Sequence, residues 1–438
     1  MLVEFKVGNF RSFRETQVLS LVASRDKSRP ENLIRLKGFR LLKSAAVYGP
    51  NAGGKSNLIR ALGFMEAFVR LSATEMNLGD SIGNAIPFRL DLASRDKPST
   101  FEIAFILNDI QYRYGFSTTA ERVHDESLTS FSSSGRPQVW FERKFSTVDK
   151  TYQWHFKEPL NRDGDLLRDK TRDNGLVLSR GADLNIKPLN DVFLWFRSKM
   201  WVYDLSQPPH FLMAKTAKQV KQDNPLAQRV LEMVKHADLG IKGILATEEP
   251  LRFEEMPEPL REPMKTFLTE LGVISGTDTK VNLSVKAVHG VEGTDAEELF
   301  DIRDESSGTQ RFFALAGRFL DVLDRGALLI VDELDCSMHP LLTRKLVEFF
   351  HNPQINTKGA QLVFATHDVT LMTPELFRRD QVWIVEKGQQ GASELFSLHD
   401  FKTGKKPRSS EAFQRNYLWG RYGGVPRFGP VFEDLAKS

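Results

Sequence analysis

Residues 49–56 read Gly-Pro-Asn-Ala-Gly-Gly-Lys-Ser, and this stretch limits what the chain can fold into more than any other. It meets the pattern Gly-x-x-x-x-Gly-Lys-Ser/Thr at every fixed position, directly after the apolar run 45–48. A helical pattern begins at residue 57, so the predicted order is strand, glycine-rich loop and helix. This order is typical of a loop that binds nucleotide phosphates. The alternative is an ordinary strand-to-helix turn that matches the pattern by chance.

The predicted chemistry of this phosphate loop follows from its residue types. Glycines allow successive backbone N–H groups to point at phosphate oxygens, and the helix N-terminus adds a favourable dipole. We expect Lys55 to reach the β- and γ-phosphates and the Ser56 hydroxyl to bind Mg²⁺. The residues of this loop predicted to bind nucleotide are Gly49, Asn51, Gly53, Gly54, Lys55, Ser56 and Asn57.

Composition narrows the class of protein. The 438 residues are 41% hydrophobic and 27% charged, which is typical of a soluble chain with a large core. No stretch approaches the ~18 apolar residues that span a bilayer, and the charged N-terminal stretch does not resemble a signal peptide. The net charge of +3 disfavours a protein that coats nucleic acid with its whole surface. Cys336 is the single cysteine, so we expect no internal disulfide and a cytoplasmic location.

Apolar patterning predicts the organisation of the chain. An alternating stretch that turns at Asn108-Asp109 predicts a hairpin, whereas the polar residues 24–40 predict a loop. Short apolar runs in the last third predict strands buried on both faces of a mainly parallel sheet. The predicted parts are an N-terminal part with the phosphate loop (1–120), an insert with helical segments (121–280), an α/β part (281–400) and a basic, aromatic tail (401–438).

A second group of residues decides between the two interpretations of the phosphate loop. The apolar run 328–331 predicts a buried strand that delivers Asp332 and Glu333 to its carboxyl end, where open α/β sheets bind ligands. Asp332 is suited to hold Mg²⁺ through water opposite Ser56, and Glu333 to accept a proton from an attacking water. A carboxylate pair that only ends a strand is the alternative, which the phosphate loop disfavours.

Two further motifs complete a fixed order. Ser-Ser-Gly-Thr-Gln, residues 306–310, opens a predicted helix, and Thr-His at 366–367 follows an apolar strand. With the phosphate loop and the strand-Asp-Glu motif, they resemble the ATP-binding-cassette branch of P-loop ATPases, in particular the RecF, SMC and overcoming-lysogenization-defect group. The resemblance covers residues 1–120 and 280–400. It implies an α/β fold with a cassette-type head, in which a mainly parallel sheet is joined by antiparallel N-terminal strands and a mostly helical insert.

The resemblance implies that the Ser-Ser-Gly-Thr-Gln motif acts on the partner protomer. Ser307 and Gly308 stand where this group contacts the γ-phosphate across a dimer interface, and Gln310 belongs to the same signature. The chain departs from the usual pattern at two positions. It has Ser306 where the group has Leu, and Thr309 where the group has a second Gly.

The resemblance also implies roles near the catalytic carboxylate Glu333. His367 matches the switch histidine, which contacts the γ-phosphate and orients water. Asp335 lies in the loop that communicates between protomers. Arg11 belongs to Asn-Phe-Arg-Ser, which resembles the opening motif on the first strand and implies a nucleotide contact.

The tail leaves two interpretations open. Its basic residues are interleaved with aromatic ones, which suits either a nucleic-acid strand bound over 401–430 or aromatic side chains packed on the head. Residues 416–426 resemble the closing motif of bacterial abortive-infection-type ATP/GTP phosphatases. That group is often encoded as the ATPase partner of a separate toxin or nuclease in phage defence.

The sequence therefore predicts a cytoplasmic Mg²⁺-dependent ATPase that uses ATP as its substrate. We expect a head-to-tail homodimer or a dimer-based homo-oligomer that controls a separate effector protein, a nuclease or toxin, in phage defence. One alternative is a RecF-like DNA-repair or DNA-end-binding ATPase, and another is a regulatory scaffold with slow turnover. No membrane partner is indicated.

Overall fold

The protein forms two compact units in a computed structural model. The first comprises Met1–Ser206, Val322–Asp335 and Thr343–Ser438, and the second comprises Gln207–Asp321 and Cys336–Leu342. Part of the insert that is predicted to contain helical segments, residues 262–280, falls outside the residues that the structure describes, as do both ends of the tail. The described residues are 1–132, 135–203, 209–222, 224–237, 240–250, 258, 261, 281–401 and 412–426.

The elements of the described residues are as follows in chain order. The strands are β1 (Leu2–Gly8), β2 (Gln17–Ser20), β3 (Leu33–Leu36), β4 (Phe39–Leu42), β5 (Ser44–Tyr48), β6 (Ser99–Leu107), β7 (Ile110–Thr118), β8 (Val123–Phe131), β9 (Pro137–Ser146), β10 (Thr151–Phe156), β11 (Met200–Tyr203), β12 (Gly243–Pro250), β13 (Val281–Gly290), β14 (Glu297–Asp301), β15 (Leu328–Val331), β16 (Gln361–Ala365), β17 (Val382–Lys387) and β18 (Ser393–Ser397). The α-helices are α1 (Lys55–Leu71), α2 (Leu92–Arg95), α3 (Gly164–Lys170), α4 (Val177–Asp183), α5 (Lys187–Lys199), α6 (Pro209–Lys221), α7 (Pro225–Lys235), α8 (Ser307–Arg325), α9 (Pro340–His351) and α10 (Phe413–Leu418). None of these helices has both the length and the apolar character that a membrane crossing requires.

A seven-stranded antiparallel sheet belongs to the first unit, in the order β10-β9-β8-β7-β6-β1-β2. Its strands alternate buried apolar and exposed polar residues because one face packs on the core. Phe101, Ile103 and Phe105 of β6 are buried. On the opposite face, Glu102 pairs with Lys6 of β1 at 2.9 Å. The alternation predicted for the N-terminal strands is therefore the alternation of a half-buried sheet.

The connection between β6 and β7 is the predicted hairpin. Asn108 and Asp109 have φ angles of 50° and 62°, and two such residues in succession give a turn whose twist matches the strands. Strands β8, β9 and β10 continue the same sheet, although the sequence predicts an insert with helical segments over 121–280. Their solvent face is rich in charged and hydroxyl residues, so their pattern resembles that of polar loops. The second unit begins only at Gln207.

The prediction of a loop over residues 24–40 is wrong for the second half of that range. Strands β3 and β4 form an antiparallel pair there, with Gly38 in their turn at a φ of 83°. Ile34 and Leu41 lie opposite each other in this pair, and both are buried. Two strands of only four residues each are too short to give a periodic signal that a sequence pattern can detect.

The second large sheet, in the order β11-β15-β16-β5-β17-β18, is mainly parallel, as predicted. Only β18 of these strands is antiparallel to its neighbour. Strands β5, β15 and β16 are buried along their whole length, as expected when both faces of a sheet are covered. Because parallel strands end at the same edge, the segments that follow β5, β15 and β16 come together. Those segments are the phosphate loop, Asp332-Glu333 and Thr366-His367.

The second unit combines α6, α7, the sheet β12-β13-β14 and most of α8. Asn224 caps α7 by accepting a 2.9 Å hydrogen bond from the backbone N–H of Ala227. The Thr216 hydroxyl of α6 donates a 2.9 Å hydrogen bond to the carbonyl oxygen of Ala314 in α8. A Cβ on Gly317 would overlap α6. Helices α6 and α8 therefore pack closely, which anchors the helix that the Ser-Ser-Gly-Thr-Gln motif opens.

Candidate nucleotide-binding site

The phosphate loop connects β5 to α1 and needs glycine at two positions. Gly49 and Gly54 have φ angles of 151° and 124°, in the region that glycine adopts most readily. A Cβ on Gly49 would overlap the carbonyl oxygen of Val385 in β17, so the loop lies directly against that strand. Within the loop, the N–H of Gly53 donates to the carbonyl of Pro50 at 3.0 Å. The result is a compact turn that leads into the N-terminus of α1, where backbone N–H groups have no partner within the helix.

Lys55, the predicted phosphate-binding cation, folds back over this loop. Its ammonium group donates hydrogen bonds to the carbonyl oxygens of Gly49 at 2.9 Å and Pro50 at 3.1 Å. The side chain is buried, with 5% of its surface exposed. These two hydrogen bonds hold the Lys55 side chain across its own loop.

The charges that act on Lys55 belong to the predicted catalytic edge of the sheet. Burial lowers the pKa of Lys55 to about 8, and the negative charges of Asp332, Glu333 and Asp335 oppose that shift. The same three carboxylates and Lys55 act on the pKa of His367. Strands β5, β15 and β16 are parallel neighbours, so the groups that follow them lie at the same edge of the sheet. The phosphate loop and the segments after β15 and β16 therefore form a single site.

Two serines, Ser393 and Ser12, form hydrogen bonds that support the phosphate loop and the start of α1. The Ser393 hydroxyl of β18 donates a 2.6 Å hydrogen bond to the carbonyl oxygen of Gly53. Its backbone N–H donates to the carbonyl of Ser12 at 2.7 Å. Asn57 in turn donates a 2.8 Å hydrogen bond from its amide to the Ser12 hydroxyl. Sequence reasoning missed Ser393, because a serine in a short strand carries no pattern of its own.

Arg11 stands in a tight turn after β1, not on the first strand as the motif implies. Asn9 and Arg11 have φ angles of 47° and 51°, and β1 ends at Gly8. The Asn9 amide donates hydrogen bonds to the carbonyl of Ser94 at 2.9 Å and to that of Lys97 at 2.7 Å. This turn carries the following residue, Ser12, to the phosphate loop. Among the described contacts, the motif thus supports the loop through its serine.

Asp332 and Glu333 end β15 as predicted. Asp332 is 4% exposed, and its N–H donates a 3.0 Å hydrogen bond to the carbonyl of Tyr203 in β11. Glu333 has a φ of 51°, a left-handed conformation that is unfavourable for a non-glycine residue and is often retained at functional sites. The next N–H, that of Leu334, donates to the carbonyl of Ala365 at 3.0 Å. Glu333 is therefore held between two anchored residues.

His367 and Asp335 are joined across the edge of the sheet. The backbone N–H of His367 donates a 3.3 Å hydrogen bond to a carboxylate oxygen of Asp335. Although the His367 side chain reaches solvent, partial burial lowers its pKa, and the charge of Lys55 adds to this effect. The carboxylates of Asp335, Glu333 and Asp332 oppose it. A neutral imidazole at this position can either donate or accept a hydrogen bond.

The donor set around Asp332 fits a magnesium ion only in company with a nucleotide. In the part of the chain that the structure describes, no three His, Cys, Asp or Glu side chains are arranged to hold a metal by themselves. Mg²⁺ at nucleotide sites takes one or two protein oxygens and fills its octahedron with phosphate oxygens and water. A buried carboxylate on Asp332 and the hydroxyl of Ser56 in the first turn of α1 meet this requirement.

A cavity of about 970 Å³ opens beside the phosphate loop. Loop residues 49–53 and Tyr48 line one side of it, and His367 lies on another. Residues 386–389, at the end of β17 and just after it, and four residues of the 417–426 segment also line the cavity. The C-terminal segment is therefore part of the same pocket as the phosphate loop.

The Ser-Ser-Gly-Thr-Gln motif lies in the second unit and begins α8 as predicted. Ser306 caps the helix, since its hydroxyl accepts a 3.1 Å hydrogen bond from the N–H of Thr309 and lies 2.9 Å from the Thr309 hydroxyl. The two departures from the usual motif thus form a matched pair. A Cβ on Gly308 would overlap the carbonyl of Ser337, and Gln310 donates a 2.9 Å hydrogen bond to the carbonyl of Glu305. Ser307 is exposed beside this cap.

Comparison with known families decides the classification. A family model described as "AAA domain, putative AbiEii toxin, Type IV TA system" matches residues 44–373. This chain belongs to that family. The matched residues include the phosphate loop, the Asp332-Glu333 pair and His367. The predicted resemblance to P-loop ATPases of the abortive-infection type is therefore confirmed. The predicted α/β fold class is confirmed as well.

Other comparisons give weaker similarity for this AAA-domain protein. A search of the curated proteins finds no match. Among solved structures, the SMC head bound to the C-winged helix domain of ScpA is 13% identical, with a TM-score of 0.41 over 90% of this chain and 97% of that chain. The SMC head domain from Thermotoga maritima is 14% identical, with a TM-score of 0.38 over 90% of this chain and 98% of that one.

Proposed function

We propose that this protein is an ATPase whose ATP-bound heads pair head-to-tail and control a separate effector, a nuclease or toxin, in bacterial phage defence. The observation that carries the proposal is that the phosphate loop with Lys55, the pair Asp332-Glu333 and His367 follow neighbouring parallel strands and so lie at one edge of the sheet. Family membership supports ATP as the nucleotide and hydrolysis as the reaction. The family is described as a putative toxin of a type IV toxin–antitoxin system, and this association supports a role in defence.

The site contains the groups that hydrolysis of ATP needs. The phosphate loop and Lys55 hold the β- and γ-phosphates, and Glu333 accepts a proton from the water that attacks the γ-phosphorus. As the new P–O bond forms, the bond to the β-phosphate oxygen breaks, and ADP and phosphate leave. A neutral His367 donates a hydrogen bond to the γ-phosphate or orients the water.

Mg²⁺ is the proposed cofactor. When bound, it neutralises charge that develops on the phosphate oxygens. Ser56 and Asp332 would hold it, with Asp332 acting through water.

The proposed dimer uses the exposed start of α8. Ser307 follows the capping residue and lies at a helix N-terminus, which favours an anionic phosphate. In a head-to-tail pair, Ser307 and Gly308 of each protomer would meet the nucleotide of the other, and Asp335 would communicate between the two sites. ATP would then favour the closed pair by its additional contacts with the γ-phosphate, and hydrolysis would remove them.

A RecF-like DNA-binding ATPase is the second candidate, and Trp419 favours it. The indole is 60% exposed and lies close to two cations. The guanidinium of Arg415 is 4.7 Å from its centroid and that of Arg421 is 5.3 Å away. Such a group can stack on a base beside a phosphate. Trp419→Ala would then weaken binding of single-stranded DNA about tenfold and leave ATP binding unchanged. Equal DNA affinity in both proteins would remove this candidate.

The proposed ATPase is tested most directly at Lys55. Calorimetry on the wild type should show tight ATP binding, and Lys55→Ala should abolish it, because the variant loses the cation that faces the phosphates. Lys345→Ala is the matched control, since that side chain is 68% exposed on α9 and pairs with Glu348. Unchanged ATP affinity in Lys55→Ala would contradict the proposal. So would a wild type that neither binds ATP nor releases phosphate from it.

A further inference from the structure

The described part of the C-terminal segment, residues 412–426, is folded into the first unit. Phe413, Tyr417 and Tyr422 are each at most 6% exposed. The Asn416 amide donates a 3.2 Å hydrogen bond to the Tyr422 hydroxyl, which closes the segment on itself. Three of the four aromatic residues of this segment thus pack on the head, as one of the two interpretations of the tail holds.

Tyr417 connects this segment to the strand that precedes the phosphate loop. Its ring centroid lies 6.2 Å from that of Tyr48, the last residue of β5, at an angle of 57°. The Tyr48 hydroxyl is buried and has no hydrogen-bond partner among the described residues. It lies within the electrostatic influence of Asp368 and Asp335 at the edge of the sheet. Tyr417 therefore packs against Tyr48, the residue that directly precedes the phosphate loop.

A second set of contacts runs from Tyr417 to the strand beneath the phosphate loop. The Tyr417 hydroxyl donates a 2.6 Å hydrogen bond to the carbonyl oxygen of Gly424. The N–H of Gly424 donates a 2.7 Å hydrogen bond to the Glu386 carboxylate. Glu386 lies in β17, one residue after Val385, whose carbonyl oxygen a Cβ on Gly49 or Gly53 would meet at 3.0 Å or less.

Glycine is required where the segment meets β17. Gly424 has a φ of 66°, and a Cβ there would overlap the Ile384 side chain. Gly423 has a φ of 71°, and its Cβ would lie 2.5 Å from a Glu386 carboxylate oxygen. The backbone thus approaches the sheet too closely for any larger residue. This close approach makes the segment a fixed wall of the 970 Å³ cavity.

We propose that the segment 412–426 is a component of the nucleotide site and that Tyr417 is a positioning residue for the phosphate loop. Tyr417 supports Tyr48 from the side and, through Gly424 and Glu386, fixes the strand on which the loop lies. This inference rests on the proposed ATPase function for its kinetic consequences. Its structural consequence, a loop that depends on Tyr417, does not require ATP.

The test compares Tyr417→Phe, which loses the hydroxyl alone, with Tyr417→Ala, which loses the ring as well. Tyr152→Phe is the matched control, because the Tyr152 hydroxyl likewise donates a hydrogen bond to a backbone carbonyl, that of Val123 at 2.8 Å, and Tyr152 does not line the cavity. The first measurement is amide hydrogen exchange of residues 49–53 without nucleotide. The second is KM and kcat for ATP. Because one hydrogen bond is lost, we expect Tyr417→Phe to speed exchange and raise KM about fivefold, with a smaller effect on kcat.

We expect Tyr417→Ala to show a larger effect in the same direction, and Tyr152→Phe to match the wild type in both measurements. If Tyr417→Ala does not fold, Tyr417→Phe alone gives the answer, since it keeps the ring. Unchanged exchange and unchanged KM in Tyr417→Phe would overturn the inference and leave the ATPase proposal standing. Faster exchange in a protein that does not bind ATP would support the inference and contradict the ATPase proposal.

Discussion

The hydroxyl of Ser393 donates a 2.6 Å hydrogen bond to the carbonyl oxygen of Gly53, although 340 positions separate the two residues. A strand near the end of the described chain thus supports the phosphate loop near its beginning. The same strand contacts the loop at Gly54, where a Cβ would lie 2.5 Å from the Ser393 hydroxyl. The geometry of the loop is therefore determined by tertiary contacts as well as by its glycines.

Ser393→Ala should weaken this support. Loss of one buried hydrogen bond costs about 1 kcal/mol, so we expect KM for ATP to rise about fivefold. Ser397→Ala is the matched control, because Ser397 is a buried serine of the same strand whose hydroxyl bonds Asp400 at 3.1 Å instead. Steady-state kinetics of both variants checks the prediction, and an equal KM in Ser393→Ala and wild type would contradict it.

ATP affinity should fall as the pH rises above about 8. Burial lowers the pKa of Lys55 from 10.5 to about 8, so the free protein loses the ammonium charge above that pH. Phosphates favour the charged form, and ATP binding must then be accompanied by proton uptake. The affinity should fall by up to about tenfold per pH unit in this range. Calorimetry in two buffers of different ionisation enthalpy measures the uptake, and its absence together with a constant affinity would refute the prediction.

The same shift has the opposite effect on folding. Between pH 8 and 10.5 the unfolded chain keeps a proton on Lys55 that the folded protein has released. The contribution of this group to the free energy of unfolding therefore increases as the pH rises through that range. Denaturant unfolding should show this increase in the difference between wild type and Lys55→Met.

Glu333→Gln should bind ATP but hydrolyse it slowly. The amide keeps the shape and the hydrogen bonds of the carboxylate but cannot accept a proton. We expect kcat to fall by about two orders of magnitude, while the ATP-bound state accumulates. Phosphate release measures kcat, with Glu375→Gln as a control at an exposed glutamate. A wild-type kcat would show that Glu333 only ends a strand.

Ser307→Arg should separate nucleotide binding from catalysis. The cap of α8 is Ser306, so the variant keeps that hydrogen bond and should fold. We expect nearly unchanged ATP binding and loss of turnover, because a bulky cation would block the proposed contact with the partner's nucleotide. Mixing Ser307→Arg with Lys55→Ala restores one complete site, so up to about half of the activity per mixed dimer should return if the sites act independently.

Full ATPase activity of Ser307→Arg by itself would contradict the trans arrangement. If closure of the proposed dimer requires a nucleotide at both sites, the mixture should recover no activity, so zero recovery does not contradict the trans arrangement. Light scattering of the Glu333→Gln variant with ATP provides the independent measurement, because a stalled protein should accumulate as a dimer.

The sequence predicted the catalytic edge better than its supports. The phosphate loop and Asp332-Glu333 follow short, wholly apolar strands, and such runs identify buried parallel strands without any tertiary information. Parallel strands end at the same edge of a sheet, so the segments that follow them must meet there. The residues of the site could therefore be predicted from the pattern of each strand alone.

The supports could not be predicted because they depend on pairs of residues far apart in the chain. Ser12 and Ser393 have no distinctive pattern, and their roles appear only when β18 lies beside the turn after β1. The polar face of β8, β9 and β10 likewise resembles a loop until the sheet provides its buried side. The reason for the two unusual motif residues, Ser306 and Thr309, is likewise visible only in the hydrogen bond between them.

The position of β5 in the parallel sheet determines when this protein becomes competent during synthesis. Its two neighbours are β16 and β17, so residues 44–48 have no partner in this sheet until the ribosome has made residues 361–387. Chains are made from the N-terminus, and an apolar strand without neighbours is prone to aggregate. A chain terminated before residue 361 would carry the complete Gly-Pro-Asn-Ala-Gly-Gly-Lys-Ser motif but no formed loop. Such fragments would be substrates for proteolysis.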